Sequence, residues 1–197
     1  CLCFKNFIEV ADYVTVNISS PNTDGLRDFH EEGKLEDLLF SINKIKNESS
    51  IKTPILLKIS PDIHENDVAT ISNIAEKSNI SALVLTNTTN KNRHNLTSDN
   101  KKEEGGLSGE PLQALSTDLI KKFYKKLNGK IPIIGVGGIN SGKSAYEKIS
   151  AGASLLQLYT GLVYKGPSVA KEIKKELIEI LKNKGINNIS SAVGVDN

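Results

Sequence analysis

The chain contains five short runs of β-branched and aliphatic residues, each followed by turn residues and then by a stretch with helical periodicity. Their near-continuous apolar character, without strict alternation, is typical of strands that are covered on both faces, as in parallel sheets. Strands that alternate with helices in this way predict an α/β fold with right-handed crossover connections. The predicted strands are 13–18, 55–59, 82–86, 132–136 and 155–159.

The segments between these strands carry apolar residues three and four positions apart, which predicts a helix in each of them. The residues before position 13 are typical of the end of an earlier helix. The predicted helices contain 35–45, 68–75, 119–127, 142–151 and 168–184.

Two architectures contain this alternation, a doubly wound open sheet and a (β/α)8 barrel. A complete barrel typically needs about 250 residues. The chain has 197 residues, so its five units do not close one, and composition alone favours the open sheet. The chain begins at Cys1 and contains no Met, so we expect it to be a piece of a longer protein.

The composition argues against several classes of protein. Lys and Arg total 25 against 23 acidic residues, and a net charge of +2 is too balanced for a nucleic-acid-binding surface. No apolar run approaches the roughly 20 residues of a membrane-spanning helix. Cys1 and Cys3 have no later partner for a disulfide framework, and His30, His64 and His94 lack a second ligand at metal-binding spacing, so we expect no metal site.

Polar residues or glycines follow every predicted strand at its carboxyl end, where ligands bind in both architectures. Turn formation explains such residues at one strand end. Their presence at all five ends favours a functional site. The segments concerned are 17–23, the strand residue Lys58, 86–89, 137–138 and 159–161.

Lys58 lies within an otherwise apolar strand. A lysine at such a position must have a partner or reach water, because an unpaired buried ammonium is costly. It either extends to solvent at a sheet edge or presents a positive charge to an electron-rich ligand, and its place in the strand favours the second interpretation.

The glycine-rich segments 105–109, 137–138 and 160–161 indicate a phosphate site, because glycine lets backbone N–H groups approach an anion closely. In (β/α) barrels the loops after the last two strands often form this site.

The segment Gly137–Ser144 also matches the P-loop pattern GxxxxGK[ST]. A P-loop nucleoside triphosphatase additionally needs a strand that ends in Asp to hold magnesium. None of the other predicted strands ends in this way, since Asp62 follows its strand only after Ser60 and Pro61. This class remains the alternative, and a non-catalytic α/β module that binds a phosphate ligand is a third hypothesis.

Six segments resemble the motifs of one enzyme family, in order and at similar spacing. They are NISSPNTDGLR at 17–27, LKISPD at 57–62, TNTT at 86–89, GGLSG at 105–109, GVGG at 135–138 and AGASLLQLYTG at 151–161. The family is that of the class 2 dihydroorotate dehydrogenases, which are quinone-linked and membrane-associated. Ser20 is distinctive, because the soluble class 1 enzymes usually carry Cys at the matching position.

The resemblance implies an FMN-binding (β/α)8 barrel, of which this chain supplies the last five βα units. Residues 1–197 would then be the C-terminal portion of a single barrel domain, without its first strands and its quinone-site helices. We therefore expect the fragment alone to be inactive.

The resemblance also implies roles for individual residues in oxidising dihydroorotate to orotate. Ser20 resembles the general base that removes a proton from carbon five while a hydride leaves carbon six, and Thr23 is a candidate member of a water relay. The residues that would bind the pyrimidine ring are Asn17, Asn22, Asn87 and Thr88. The residues that would contact FMN are Asn17, Lys58 and Thr86, with its phosphate held by Gly109, Gly138, Tyr159 and Thr160.

By the same resemblance, the partners are dihydroorotate or orotate and a quinone, with peripheral membrane association through the absent part and no nucleic acid. A monomer is expected, at the mitochondrial inner membrane in a eukaryote or the cytoplasmic membrane in a bacterium. Residues 90–104, polar and rich in Asn and Lys, are either a mobile flap over the site or a solvated loop.

Overall fold

The computed structural model describes residues 1–49, 52–91 and 93–197. The strands are β1 Val14–Asn17, β2 Ile55–Ile59, β3 Ala82–Leu85, β4 Ile133–Val136 and β5 Leu155–Gln157. The α-helices are α1 Leu2–Phe7, α2 Glu32–Ser49, α3 Glu65–Lys77, α4 Gln113–Leu127, α5 Gly142–Ser150, α6 Thr160–Lys165 and α7 Val169–Asn183. Each predicted strand and helix is present, and the predicted strand ends lie within two residues of the observed ones.

The short helix α6 was not predicted from the sequence. It begins at Thr160, directly after the segment 155–159 that was assigned to a strand, and only Leu155–Gln157 is extended as β5. Leu158 and Tyr159 therefore connect a strand to a helix instead of continuing the sheet.

All five strands are parallel, and their order in the sheet is their order in the chain. A doubly wound sheet reverses its strand order at a switch point, and this sheet does not. The expectation of an open doubly wound sheet, which composition favoured, is therefore wrong. The sequential parallel arrangement is that of successive βα units of a (β/α)8 barrel.

The two faces of the sheet are covered differently. The outer face carries the main apolar core, where strand residues such as Leu57 and Leu83 pack with Leu39, Ile71 and Phe123 from the helices. The inner face carries a smaller apolar cluster of Leu56, Ala82, Val84 and Ile134. Because side chains alternate along a strand, Asn17 and Lys58 belong to this inner face, and the register pairs them with each other.

Several large apolar side chains lie exposed near β5 and α6, namely Leu155, Leu162, Val163 and Tyr164. Leu155 is aligned with Ile134 of the inner cluster and is 62% exposed. In the described parts of the chain, no helix combines the length and the apolar character that crossing a membrane requires.

We expect Phe123→Ala to lower the free energy of unfolding by about 3–5 kcal/mol, because the ring is completely buried in the main core and its removal leaves a cavity. Denaturant titration of the longer protein, of which we expect this chain to be a piece, measures this loss. Phe40→Ala is the matched control, since that ring is 72% exposed, and its effect should stay within about 0.5 kcal/mol. Equal losses for the two variants would contradict the assignment of the core.

Candidate active site

Three loops meet at the carboxyl end of β4 and β5, and glycines allow their close approach. A Cβ atom on Gly109 would lie 2.9 Å from the Cγ2 atom of Thr160, and one on Gly138 would lie 2.4 Å from the Cβ atom of Gln113. A Cβ atom on Gly161 would lie 2.5 Å from the carbonyl oxygen of Ile139. We name the loops 106–112, 137–140 and 159–161 the glycine cradle.

Gly109 and Gly138 also have positive φ angles, +79° and +72°, which residues with a side chain rarely adopt. No acceptor in the described parts of the chain receives a hydrogen bond from the backbone N–H of either residue. Backbone N–H groups without a protein partner beside glycines are suited to hydrogen-bond an anion.

A cavity of about 930 Å³ lies over the glycine cradle and reaches the inner face of the sheet at Lys58. Its volume falls within the range of about 300–1,000 Å³ that is typical of small-molecule sites. Eight of the predicted site residues line it: Lys58, Thr86, Asn87, Thr88, Gly109, Gly138, Tyr159 and Thr160.

Lys58 is half-buried in β2, and burial lowers the pKa of its ammonium group. In the described parts of the chain, no carboxylate lies within ion-pair distance of it. A negatively charged ligand in the cavity would therefore be attracted by the Lys58 ammonium at its inner end, since no carboxylate of the described residues pairs with that charge.

A side-chain network joins the ends of β1 and β3 beside the cavity. The Oδ1 atom of Asn17 accepts hydrogen bonds from the hydroxyl of Ser19 at 2.7 Å and from the Nδ2 atom of Asn87 at 3.4 Å. The same Nδ2 atom donates to the Ser19 hydroxyl at 2.9 Å, and the Oδ1 atom of Asn87 accepts from the backbone N–H of Thr88 at 2.8 Å. The Asn17 carbonyl is thus occupied, which orients its NH2 group away from Ser19.

Ser20, Asn22 and Thr23 lie in the next part of the same loop, outside the lining of this cavity. The half-buried hydroxyl of Ser20 accepts a hydrogen bond from the backbone N–H of Asn22 at 3.2 Å. Asn22 and Thr23 are exposed, and Asn22 lines a separate polar cavity of about 820 Å³. The loop is close to the cavity nevertheless, because a Cβ atom on Gly106 would lie 2.9 Å from Pro21.

An ion pair that sequence reasoning missed ties the strand-end loops together. The guanidinium of Arg27 donates to the Oδ2 atom of Asp62 at 3.1 Å and to the carbonyl of Thr88 at 3.3 Å. The Asp62 carboxylate also accepts from the Thr89 hydroxyl and, at 3.0 Å, from the backbone N–H of Asn90. The side chain of Asp62 is only 5% exposed. The position of Asp62 after Ser60 and Pro61, at the end of a strand, was the sequence feature that could have indicated this ion pair.

His30 forms a second connection between the loop after β1 and the loop after β2. Its Nδ1 atom lies 2.8 Å from the Arg27 carbonyl, and its Nε2 atom accepts from the backbone N–H of Ser60 at 3.2 Å. Both contacts are satisfied by a neutral imidazole with the proton on Nδ1. Burial lowers the pKa of His30, and the charge of Arg27 adds to this effect, whereas the hydrogen bond with the Arg27 carbonyl and the charge of Asp67 oppose it.

The segment 90–104 is held at one end by Arg93, whose guanidinium donates to the carbonyls of Lys101, Glu103 and Gly105. Asn92 lies outside the described residues. The bridge between Thr89 and Leu107 closes the segment beside the site. Its opening as a flap stays a prediction.

The P-loop match at 137–144 has a different structural role. The backbone N–H of Gly142, at the start of α5, donates to the Glu176 carboxylate at 2.5 Å. The hydroxyl of Ser144 is buried in a capping box with Ser141, and Lys143 is exposed. The anion position of a P-loop is therefore filled by the protein's own carboxylate, and the hydroxyl that would bind magnesium is used as a cap.

The described residues contain no group of three or more His, Cys, Asp or Glu side chains arranged to hold a metal ion. The site instead combines a glycine cradle, a half-buried lysine and an amide network at the carboxyl ends of sequential parallel strands. These features are those of a (β/α)-barrel protein whose strand ends are suited to an anionic small molecule.

The sequence profile of the family "Dihydroorotate dehydrogenase" matches residues 1–181. The chain belongs to the dihydroorotate dehydrogenase family. It is 44% identical over 191 residues to "Dihydroorotate dehydrogenase (quinone), mitochondrial" of Mus musculus, covering 95% of this chain and 48% of that protein. It is 42% identical over 191 residues to "Dihydroorotate dehydrogenase (quinone)" of Xanthobacter autotrophicus, covering 95% of this chain and 54% of that protein.

A solved structure of DHODH from Eimeria tenella in complex with ferulenol superposes with a TM-score of 0.94 at 34% identity. The superposition covers 98% of this chain and 57% of that one. The chain thus spans about half the length of the curated relatives it matches.

We expect the protein to lose stability as the pH falls below about 6.5, the ordinary pKa of histidine. Because folding lowers the pKa of His30, the unfolded state binds more protons below this pH, so the free energy of unfolding decreases there. Denaturant unfolding at pH 8 and at pH 5.5 measures the change. His30→Gln should reduce this dependence, since an amide does not titrate, and an unchanged dependence would show that other groups cause it.

Proposed function

We propose that this chain is the C-terminal portion of a quinone-linked dihydroorotate dehydrogenase, which oxidises dihydroorotate to orotate in pyrimidine biosynthesis. The observation that carries the proposal is that one cavity joins the glycine cradle to Lys58 and to Asn87, which is hydrogen-bonded to Asn17 outside the cavity lining. The names of the relatives, and the match of 1–181 to the family, support the same activity.

The cavity suits flavin mononucleotide, a flavin that ends in a phosphate. The unpartnered N–H groups of Gly109 and Gly138 would bind the phosphate, together with Tyr159 and Thr160, whose hydroxyl lies 2.9 Å from that of Ser108. Thr86 and Asn17 would contact the ring system, and Lys58 would supply a cation beside it. FMN held by these residues would supply a hydride acceptor for carbon six of the substrate.

The amide network would bind the substrate's pyrimidine ring. An Asn side chain offers both a donor and an acceptor, which matches the alternating N–H and C=O groups of dihydroorotate. Asn17 and Asn87 are held in place by their bonds through Ser19, so little side-chain entropy is lost on binding. Thr88, which Gly106 approaches closely, and Asn22, whose Oδ1 atom would lie 4.0 Å from a Cβ atom on Gly105, complete the set.

Ser20 would remove the proton from carbon five. A serine hydroxyl is a weak base unless its own proton is withdrawn. The hydrogen bond from the Asn22 N–H to the Ser20 oxygen stabilises negative charge there and so favours loss of the hydroxyl proton. That proton would leave through water beside the exposed Thr23, and the Ser20 oxygen would then take the proton from carbon five.

The complete enzyme would contain further barrel strands beside β1 and β5, since this chain spans about half of its relatives. The exposed apolar side chains near β5 fit such a boundary. The proposal extends to a quinone acceptor bound outside this chain, to peripheral membrane association and to a monomer. The location would be the mitochondrial inner membrane in a eukaryote, and the name of the Mus musculus relative supports the mitochondrial part of this proposal.

Adding dihydroorotate to the complete enzyme under anaerobic conditions should bleach its flavin absorbance. Ser20→Ala should slow this bleaching by about 10²–10⁴-fold near neutral pH, because the base is lost. Its flavin content should remain that of the wild type, because Ser20 lies outside the glycine cradle.

Ser41→Ala is the matched control, because the Ser41 hydroxyl donates to the carbonyl of Asp37 within α2 and Ser41 lines neither of the two cavities beside the site. It should bleach at the wild-type rate. Loss of flavin from Ser20→Ala would instead make Ser20 a structural residue. A wild-type enzyme whose flavin does not respond to dihydroorotate would refute the proposed function.

Residues 1–197 expressed alone should neither bind FMN stoichiometrically nor turn over dihydroorotate. The sheet then has two open parallel edges at β1 and β5, and open edges promote aggregation. Size-exclusion chromatography and the ratio of flavin to protein absorbance measure the outcome. A soluble, yellow and active preparation would contradict this expectation.

A further inference from the structure

Lys148 of α5 is a completely buried lysine outside the cavity lining. Its ammonium donates to the hydroxyls of Ser116 and Thr117, at 3.1 and 3.0 Å, and to the carbonyl of Gln113 at 3.4 Å. All three partners lie in the first turns of α4. Buried lysines are rarely found without an ionic partner, so this charge requires an explanation.

The ammonium has no carboxylate within ion-pair distance among the described residues. The groups that α4 presents to it are uncharged. Its neighbour Glu147 on α5 accepts from the Nε2 atom of Gln113 at 2.6 Å, and α7 directs Glu176 to Gly142 instead. Burial lowers the pKa of Lys148 to about 8, a shift that Glu147 opposes.

Two contacts connect Lys148 to the glycine cradle. The Ser116 hydroxyl, which accepts from Lys148, donates to the carbonyl of Val136, the residue directly before Gly137 and Gly138. Gln113, whose carbonyl also accepts from Lys148, packs against Gly138. A single residue, Ser116, therefore connects the Lys148 ammonium by hydrogen bonds to the loop that would hold the phosphate.

A cation beside the first turn of a helix is unfavourable, because that end of the helix dipole is already positive. An anion in the glycine cradle would offset both the charge of Lys148 and the positive end of the α4 dipole. We propose that Lys148 is a positioning residue for the phosphate site: it fixes the cradle through Ser116 and Val136, and its charge selectively strengthens the binding of a phosphate-bearing ligand. This inference rests on the proposed function, which places the FMN phosphate in the cradle.

The test compares FMN with riboflavin, which has the same ring system but no phosphate. The complete enzyme is stripped of flavin and titrated with each ligand, and binding is followed by flavin fluorescence. Lys148→Met should weaken FMN binding by about tenfold, because the attraction between the ammonium and the phosphate is lost. Riboflavin binding should not change.

Lys143→Met is the matched control, because Lys143 lies on the same helix but is exposed. Both FMN and riboflavin should bind to it as to the wild type. A variant of Lys148 that weakens both flavins equally, or neither, would overturn the proposal, because a purely structural lysine does not distinguish the phosphate.

A second measurement uses the wild type alone and therefore does not depend on how the variant folds. The phosphate is a dianion above about pH 7. A bound anion raises the pKa of Lys148 above its unliganded value of about 8, so FMN binding takes up a proton and should weaken as the pH rises from 8 to 9.

Riboflavin binding should stay constant over the same range. Parallel pH profiles for the two flavins would overturn the proposal and leave the proposed function intact. A wild-type enzyme that binds neither flavin would overturn both.

Discussion

The position of the site depends on the sequential order and the parallel pairing of the strands in the sheet. Because each strand pairs with its neighbour in the chain, every crossover places its helix on the same face. The opposite face is left free, and the register puts Asn17 level with Lys58 there. The carboxyl ends of all five strands then lie along one rim, so residues far apart in sequence, such as Ser19 and Asn87, reach hydrogen-bond distance.

One buried carboxylate sets the relative positions of the loops on that rim. Asp62, after β2, is bonded by Arg27 from the loop after β1 and by Thr89 and Asn90 from the loop after β3. A carboxylate this buried is stable only when it is fully bonded, so each loop is needed to hold the other two. The loop that carries Ser20 is thus positioned by contacts outside the cavity.

The sequence predicts the strands and most helices, because near-continuous apolar runs and apolar residues at helical spacing are patterns within short segments. Local patterns do not predict strand order, which depends on long-range pairing, and the doubly wound sheet that composition favoured failed for that reason. The (β/α)8 barrel, which the family resemblance implied, is confirmed. Helix α6 was missed because its apolar residues continue those of β5. Lys58 and the glycines stand out as anomalies within their own segments. Lys148 does not, because a lysine on a polar helix is ordinary until the structure buries it.

The bond between Glu176 and the backbone of Gly142 has a consequence for ligand discrimination. The start of α5 lies only four residues beyond Gly138 and would compete with the cradle for a phosphate. The carboxylate from α7 neutralises this competing position and repels any anion that approaches it. Under the proposed function, the last long helix would therefore keep the ligand phosphate out of the position next to the glycine cradle.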